Sequence, residues 1–223
     1  MLNTENQFRL VFCTESTVPL AKIVQALQEM AFIGAALFPA ELNRKYDREK
    51  LADSTDSHQS NDEYFAGDQF LSAVTFMGCS PYIEFEAPKD LQANSKADFC
   101  FVRFSKSKDV SVLYHAEQFE QLNTVPRCLS CRKIIQDWST KVDELNSQWQ
   151  LSCSHCEKDL RPSELDWRKA SGQGNIFIEV MNVYLQEGIP TDAFMQQLAK
   201  CSQSTWQYFY TNANIKTKLL DRT

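Results

Sequence analysis

Four of the eight cysteines stand in two Cys-x-x-Cys pairs, Cys128/Cys131 and Cys153/Cys156, separated by residues 132–152. Thiolates are soft anionic ligands, and a two-residue spacer lets one tight turn aim both sulfurs at a single ion. Two such turns supply a tetrahedral four-thiolate shell. The spacing therefore predicts one structural zinc held by Cys128, Cys131, Cys153 and Cys156. A catalytic zinc keeps a position open for water, whereas four thiolates close the shell and reduce its Lewis acidity. Iron takes the same ligands, and the pairs can also serve as redox disulfides, so both alternatives stay open. His155 lies inside the second pair and is expected to point outward.

The two pairs sit in parallel contexts, Cys128-Leu-Ser-Cys131-Arg-Lys and Cys153-Ser-His-Cys156-Glu-Lys. Over about residues 128–160 this resembles a zinc ribbon. The resemblance implies two cysteine knuckles at the ends of short strands, clamping one ion. The chain departs from the pattern in a longer connector and in lacking a glycine in either knuckle. Rubredoxin-like iron knuckles carry glycine and proline beside the cysteines, and both are absent here. Zinc ribbons also bind nucleic acid, which makes Arg132, Lys133 and Lys158 the contacts to expect under that alternative. Against it, basic and acidic residues nearly balance between Arg127 and Lys169, and the whole chain carries a net charge of −6. Polyanion binders neutralise phosphates with clustered Lys and Arg. Trp138, Trp149 and Trp167 are expected to build a miniature core or a protein contact rather than to stack on bases.

No second chemistry assembles as readily. Cys79 lies in the turn Gly78-Cys79-Ser80-Pro81, but an activated thiol needs a base, and the histidines are His58, His115 and His155. His58 falls in a polar stretch and is given no role. Gly172-x-Gly174 lacks the third glycine and following helix of a phosphate loop and reads as a turn. No Ser-His-Asp set or dinucleotide fingerprint is present.

The elements that must position the cysteines follow from apolar periodicity. Phe8–Thr14 reads as a strand, followed by a helix with Leu20, Ile23, Val24, Leu27, Met30 and Ala31 on one face and Pro19 in its first turn. Residues 41–68 are polar and are expected to form a mobile loop. Strands are predicted over 70–77, 82–86, 97–104 and 110–115, with a helical turn over 116–122. After the cysteine module come a strand over 175–184, a helix capped by Thr191 that faces Phe194, Met195, Leu198 and Ala199 inward, and a strand over 205–211.

This pattern predicts an α+β fold, an α/β sandwich of strand-helix and strand-helix-strand units with an inserted zinc ribbon. The expected parts are residues 1–125, the module 126–168, the returning part of the sandwich 169–212, and a flexible tail 213–223. The start of the chain lacks the features of a secretory signal, and no apolar run is long enough to span a bilayer. The function to expect is a cytoplasmic zinc protein acting as a non-catalytic scaffold or protein-interaction module with a protein partner. A nucleic-acid-associated factor is the alternative, with a thiol-redox protein or cysteine-dependent enzyme after both.

Overall fold

The computed structural model describes residues 8–37, 62–76, 83–87, 99–114, 125–136, 151–160, 165–211 and 216–219. Its framework starts with β1 (Arg9–Thr14), every residue of which is buried. An element buried on both faces needs partners on both edges and layers above and below. β1 pairs antiparallel with β10 (Gly172–Met181) on one side and β12 (Gln207–Thr211) on the other. β10 pairs in turn with β5 (Phe101–Tyr114), and the sheet continues through β3 (Asp62–Ala66) to β2 (Ile33–Ala36). The spatial order is β12-β1-β10-β5-β3-β2, with all these ladders antiparallel, and β13 (Lys216–Leu219) pairs with β5.

One face of this sheet carries the helices. α1 (Leu20–Glu29) buries Ile23, Val24 and Leu27, and α3 (Asp192–Ser202) buries Phe194 and Leu198. They pack into one core with the alternate residues Leu10 and Phe12 of β1, Val102 and Phe104 of β5, and Ile176, Ile178 and Val180 of β10. Phe32 stacks on Phe194 at 4.4 Å, and Phe12 meets the same ring edge-on at 5.6 Å. The Thr191 hydroxyl accepts the Phe194 N–H at 3.3 Å, so the expected cap and the expected inward positions hold.

The opposite face carries a row of charge. Arg9 of β1 pairs with Glu179 of β10, and Arg103 of β5 pairs with Glu63 of β3 at 2.7 Å. Glu179 and Arg103 are direct cross-strand neighbours, as are Arg103 and Glu63. The signs therefore alternate across four adjacent strands, with every member buried. Apolar groups flank the row on both sides, Val11, Cys13, Phe177 and Phe209 on one and Leu37, Phe99, Phe101 and Met181 on the other.

Several expectations are corrected. Within the strand expected over 70–77, residues 70–76 divide into the helical turn α2 (Phe70–Ala73) and the strand β4 (Val74–Phe76), which pairs with β11 (Gly188–Pro190). A helical turn buries Phe70 and Ala73 together and turns Leu71 out, 57% exposed, which strand alternation does not do. Residues 83–87 form no strand. Of the strands expected over 97–104 and 110–115, residues 101–104 and 110–114 belong to one continuous strand, β5. Within the polar stretch 41–68, residues 62–66 are strand β3, and 216–219 in the expected tail are strand β13. Residues 41–61 of the expected loop, the turn over 116–122, and Cys79, His58, His115, Trp138 and Trp149 lie outside the described residues. Among the described residues, no helix is long and apolar enough to cross a membrane.

Gly172 and Gly174 belong to β10 rather than to a turn. A Cβ at Gly172 would lie 2.5 Å from Cys13 Sγ, and one at Gly174 would lie 2.6 Å from the Thr14 carbonyl oxygen. The Gly-x-Gly spacing thus permits close approach of two strands beside an irregularity in the ladder between Gly174 and Ile176.

Candidate metal centre

The cysteine module lies in sequence between β5 and β10, which are hydrogen-bonded neighbours in the sheet. Its described residues include four two-residue strands: β6 (Arg127–Cys128), β7 (Leu151–Ser152), β8 (Asp159–Leu160) and β9 (Leu165–Asp166). β7 and β8 form a hairpin that carries the second cysteine pair at its tip, with Ser152 opposite Asp159. The first pair sits in an equivalent hairpin closed by the bridge between Arg127 and Ile134, and β9 flanks it through Arg127–Asp166 and Cys128–Leu165 pairing.

The two turns share one hydrogen-bond scheme. In the first, the Cys128 N–H donates to the Lys133 carbonyl at 2.9 Å, and the Arg132 N–H donates to the Cys128 carbonyl at 2.8 Å. In the second, the Cys153 N–H donates to the Lys158 carbonyl at 2.9 Å, and the Glu157 N–H donates to the Cys153 carbonyl at 2.8 Å. The residue after each second cysteine takes a left-handed conformation, with φ of 60° at Arg132 and 55° at Glu157. This is the place where a glycine costs no strain, and this chain fills it twice with long side chains.

These turns converge the four sulfurs. Cys128 Sγ lies 3.8 Å from Cys156 Sγ and Cys131 Sγ lies 3.6 Å from Cys153 Sγ, and all four sulfurs fall within 4.8 Å of one another. A regular tetrahedron with zinc–sulfur bonds of about 2.3 Å has edges of about 3.8 Å. The spacing fits a four-thiolate ion. Beneath the sulfurs, Cys128 and Cys153 join Ile135, Leu160, Leu165, Trp167 and Ala170 in a small apolar cluster separate from the main core.

The electrostatics are those of a thiolate site. Burial pushes the Cys128 thiol up, but the N–H groups of Cys131 and Ser130 and the neighbouring sulfurs of Cys156 and Cys131 outweigh it and hold it at about 7. At Cys153 the His155 N–H is the largest influence and lowers the pKa against burial, helped by the Cys156 N–H. The donors therefore occupy equivalent positions in the two turns. The Lys158 N–H favours the Cys156 thiolate, yet desolvation and the three other sulfurs prevail and push it up to about 12. Sulfurs this close cannot all ionise without a cation among them.

Of the other singled-out residues, Arg132, Lys133, Lys158 and His155 are exposed, and their backbone groups build the turns. Trp167 is buried in the module's apolar cluster. Sequence reasoning missed Arg127 and Arg168, which line a groove of about 450 Å³ with Arg132, Leu129, Cys128 and Asp166. The missing signal is long-range, because Arg168 comes to the first turn only through the β6–β9 pairing. The module joins the sheet at its outer edge: the Tyr210 N–H of β12 donates to the Lys169 carbonyl at 2.9 Å, and Lys169 Nζ sits 3.6 Å from the centre of the Tyr208 ring. Comparison of this chain with protein-family models, with curated proteins and with solved structures gave no match in any of the three.

Proposed function

We propose that Cys128, Cys131, Cys153 and Cys156 bind one structural zinc ion, and that the protein is a non-catalytic scaffold or protein-interaction module organised by that ion. The carrying observation is the pair of sulfur separations, 3.6 and 3.8 Å, close to the tetrahedral edge that zinc requires. Four protein ligands leave no place for a reactive water. The apolar cluster under the sulfurs is small, so metal–thiolate bonds supply the folding free energy that its burial does not.

The test is metal content of purified protein, kept reduced, by elemental mass spectrometry. One zinc per chain is expected, lost in Cys128→Ser and in Cys153→Ser. Stoichiometric iron would change the identity of the ion. Metal-free protein after preparation with excess zinc would make the two pairs redox groups instead.

A further inference from the structure

The two cysteine turns do the same work with different surfaces. The positions that correspond to Arg127, Leu129 and Arg132 in the first turn hold Ser152, Ser154 and Glu157 in the second. All three of the first turn's residues line the groove, where Arg168 joins them from the far side of β9. Three arginines thus line one concavity with a single acidic residue, Asp166, one carboxylate oxygen of which accepts the Arg168 backbone N–H at 2.9 Å, while Arg127 Nη1 donates to the Arg132 carbonyl at 3.5 Å. None of the three arginines forms an ion pair among the described residues.

Four thiolates around a divalent ion carry two negative charges in excess, and nearby arginines would offset them. The second turn directs its two sulfurs with a glutamate in the position of Arg132, so holding thiolates does not require that charge. Sequestering a positive cluster in a chain of net charge −6 calls for an anionic ligand. Guanidinium forks match the oxygens of phosphate and carboxylate, but a single carboxylate saturates one arginine, whereas a phosphomonoester carries close to two charges and three terminal oxygens. A volume of about 450 Å³ suits a small molecule. Leu129, 56% exposed at the groove, offers an apolar surface to the organic part of such a ligand.

The geometry points to a binding site for a small phosphomonoester, formed by Arg127, Arg132 and Arg168 beside the metal centre. It builds on the four-cysteine reading, because residues of the first cysteine turn line the groove.

The experiment is calorimetric titration of the full-length, zinc-loaded protein at low salt with inorganic phosphate, phenyl phosphate and a single-stranded oligonucleotide, with metal content measured on the same samples. Phenyl phosphate is expected to bind more tightly than inorganic phosphate. Arg132→Gln and Arg168→Gln should each weaken it by about tenfold or more, as loss of a charged hydrogen bond does. A triple variant carrying the second turn's residues, Arg127→Ser, Leu129→Ser and Arg132→Glu, should keep its zinc and lose binding. Zinc-loaded protein that binds neither phosphate compound, or binds them equally well in the triple variant, overturns the site and leaves the metal centre standing. Binding of the oligonucleotide alone, weakening steeply with salt, overturns it in favour of a nucleic-acid surface. Arginine-dependent phosphate binding by protein that holds no zinc supports the groove and overturns the metal reading.

Discussion

At the scale of single residues, two positions carry conformational strain for the sake of the cysteines. Glu157 and Arg132 adopt left-handed φ, which costs an L-residue roughly 1–2 kcal/mol, part of which glycine gives back through its greater freedom when unfolded. Glu157→Gly is therefore expected to stabilise the cysteine module by about 0.5–1 kcal/mol. Its zinc affinity in chelator competition is the readout, and a weaker ion would mean that the glutamate side chain itself supports the turn. Two cysteines remote from the module behave oppositely. Burial pushes Cys13 and Cys100 up to about 12, in Cys13 against a smaller lowering by Lys169. A thiol that loses its proton at about 9 unfolded and about 12 folded stabilises the fold fully below pH 9. Between those values the unfolded chain binds fewer protons, so stability falls as pH rises. Denaturant midpoints measured from pH 8 upward should decline through this window, and less so in Cys13→Ala or Cys100→Ala backgrounds.

At the scale of elements, the alternating row Arg9, Glu179, Arg103 and Glu63 fixes strand register. Sliding any of β1, β10, β5 or β3 by one residue would drive a charge into the helix-covered core. Removing one partner leaves a buried charge uncompensated, so Glu63→Ala should destabilise the protein by about 3–5 kcal/mol. The double variant Glu63→Leu/Arg103→Met should recover most of that in urea unfolding. If the single variant is as stable as the parent, the pair is hydrated and the row sets no register. The Thr191 cap is worth less: Thr191→Ala should cost about 1 kcal/mol, a value readable in the same assay. Gly174 faces a steeper penalty, because a methyl group there would meet the Thr14 backbone. No rotamer change relieves such a contact.

At the scale of the whole molecule, two apolar clusters are held by different means. The main core joins sheet and helices, while the module's own cluster is small and sits under the sulfurs. Removing the proposed metal with a chelator at neutral pH should therefore open the module and spare the sheet. Limited proteolysis should then cut between Pro126 and Trp167, with the far-ultraviolet circular dichroism of the strands largely kept. Unfolding of the entire chain would show that the contacts of Lys169 with Tyr208 and Tyr210 couple the two into one cooperative unit.

The sequence alone determined what depends on short-range pattern. Cysteine spacing identified the four sulfurs, a 3.6-residue apolar period identified α1 and α3, and the Thr191 cap marked where α3 begins, because each signal lies within a few bonds or one helical turn. It misread Phe70–Ala73, where Phe-Leu-Ser-Ala makes a helical turn that buries Phe70 and Ala73 together. It treated Gly172-x-Gly174 as a turn, since nothing local announces that Thr14 will pass close by. Polar residues such as Glu63, and the lysine-bearing strand at 216–219, gave no strand signal because their reason for pairing lies on a distant strand. Only tertiary structure decided that opposite charges meet in a row across four strands and that Arg127, Arg132 and Arg168 share one groove. The physical reason is the same in each case: such contacts form between residues far apart in the chain, and their energies depend on a burial and a proximity that no local window contains.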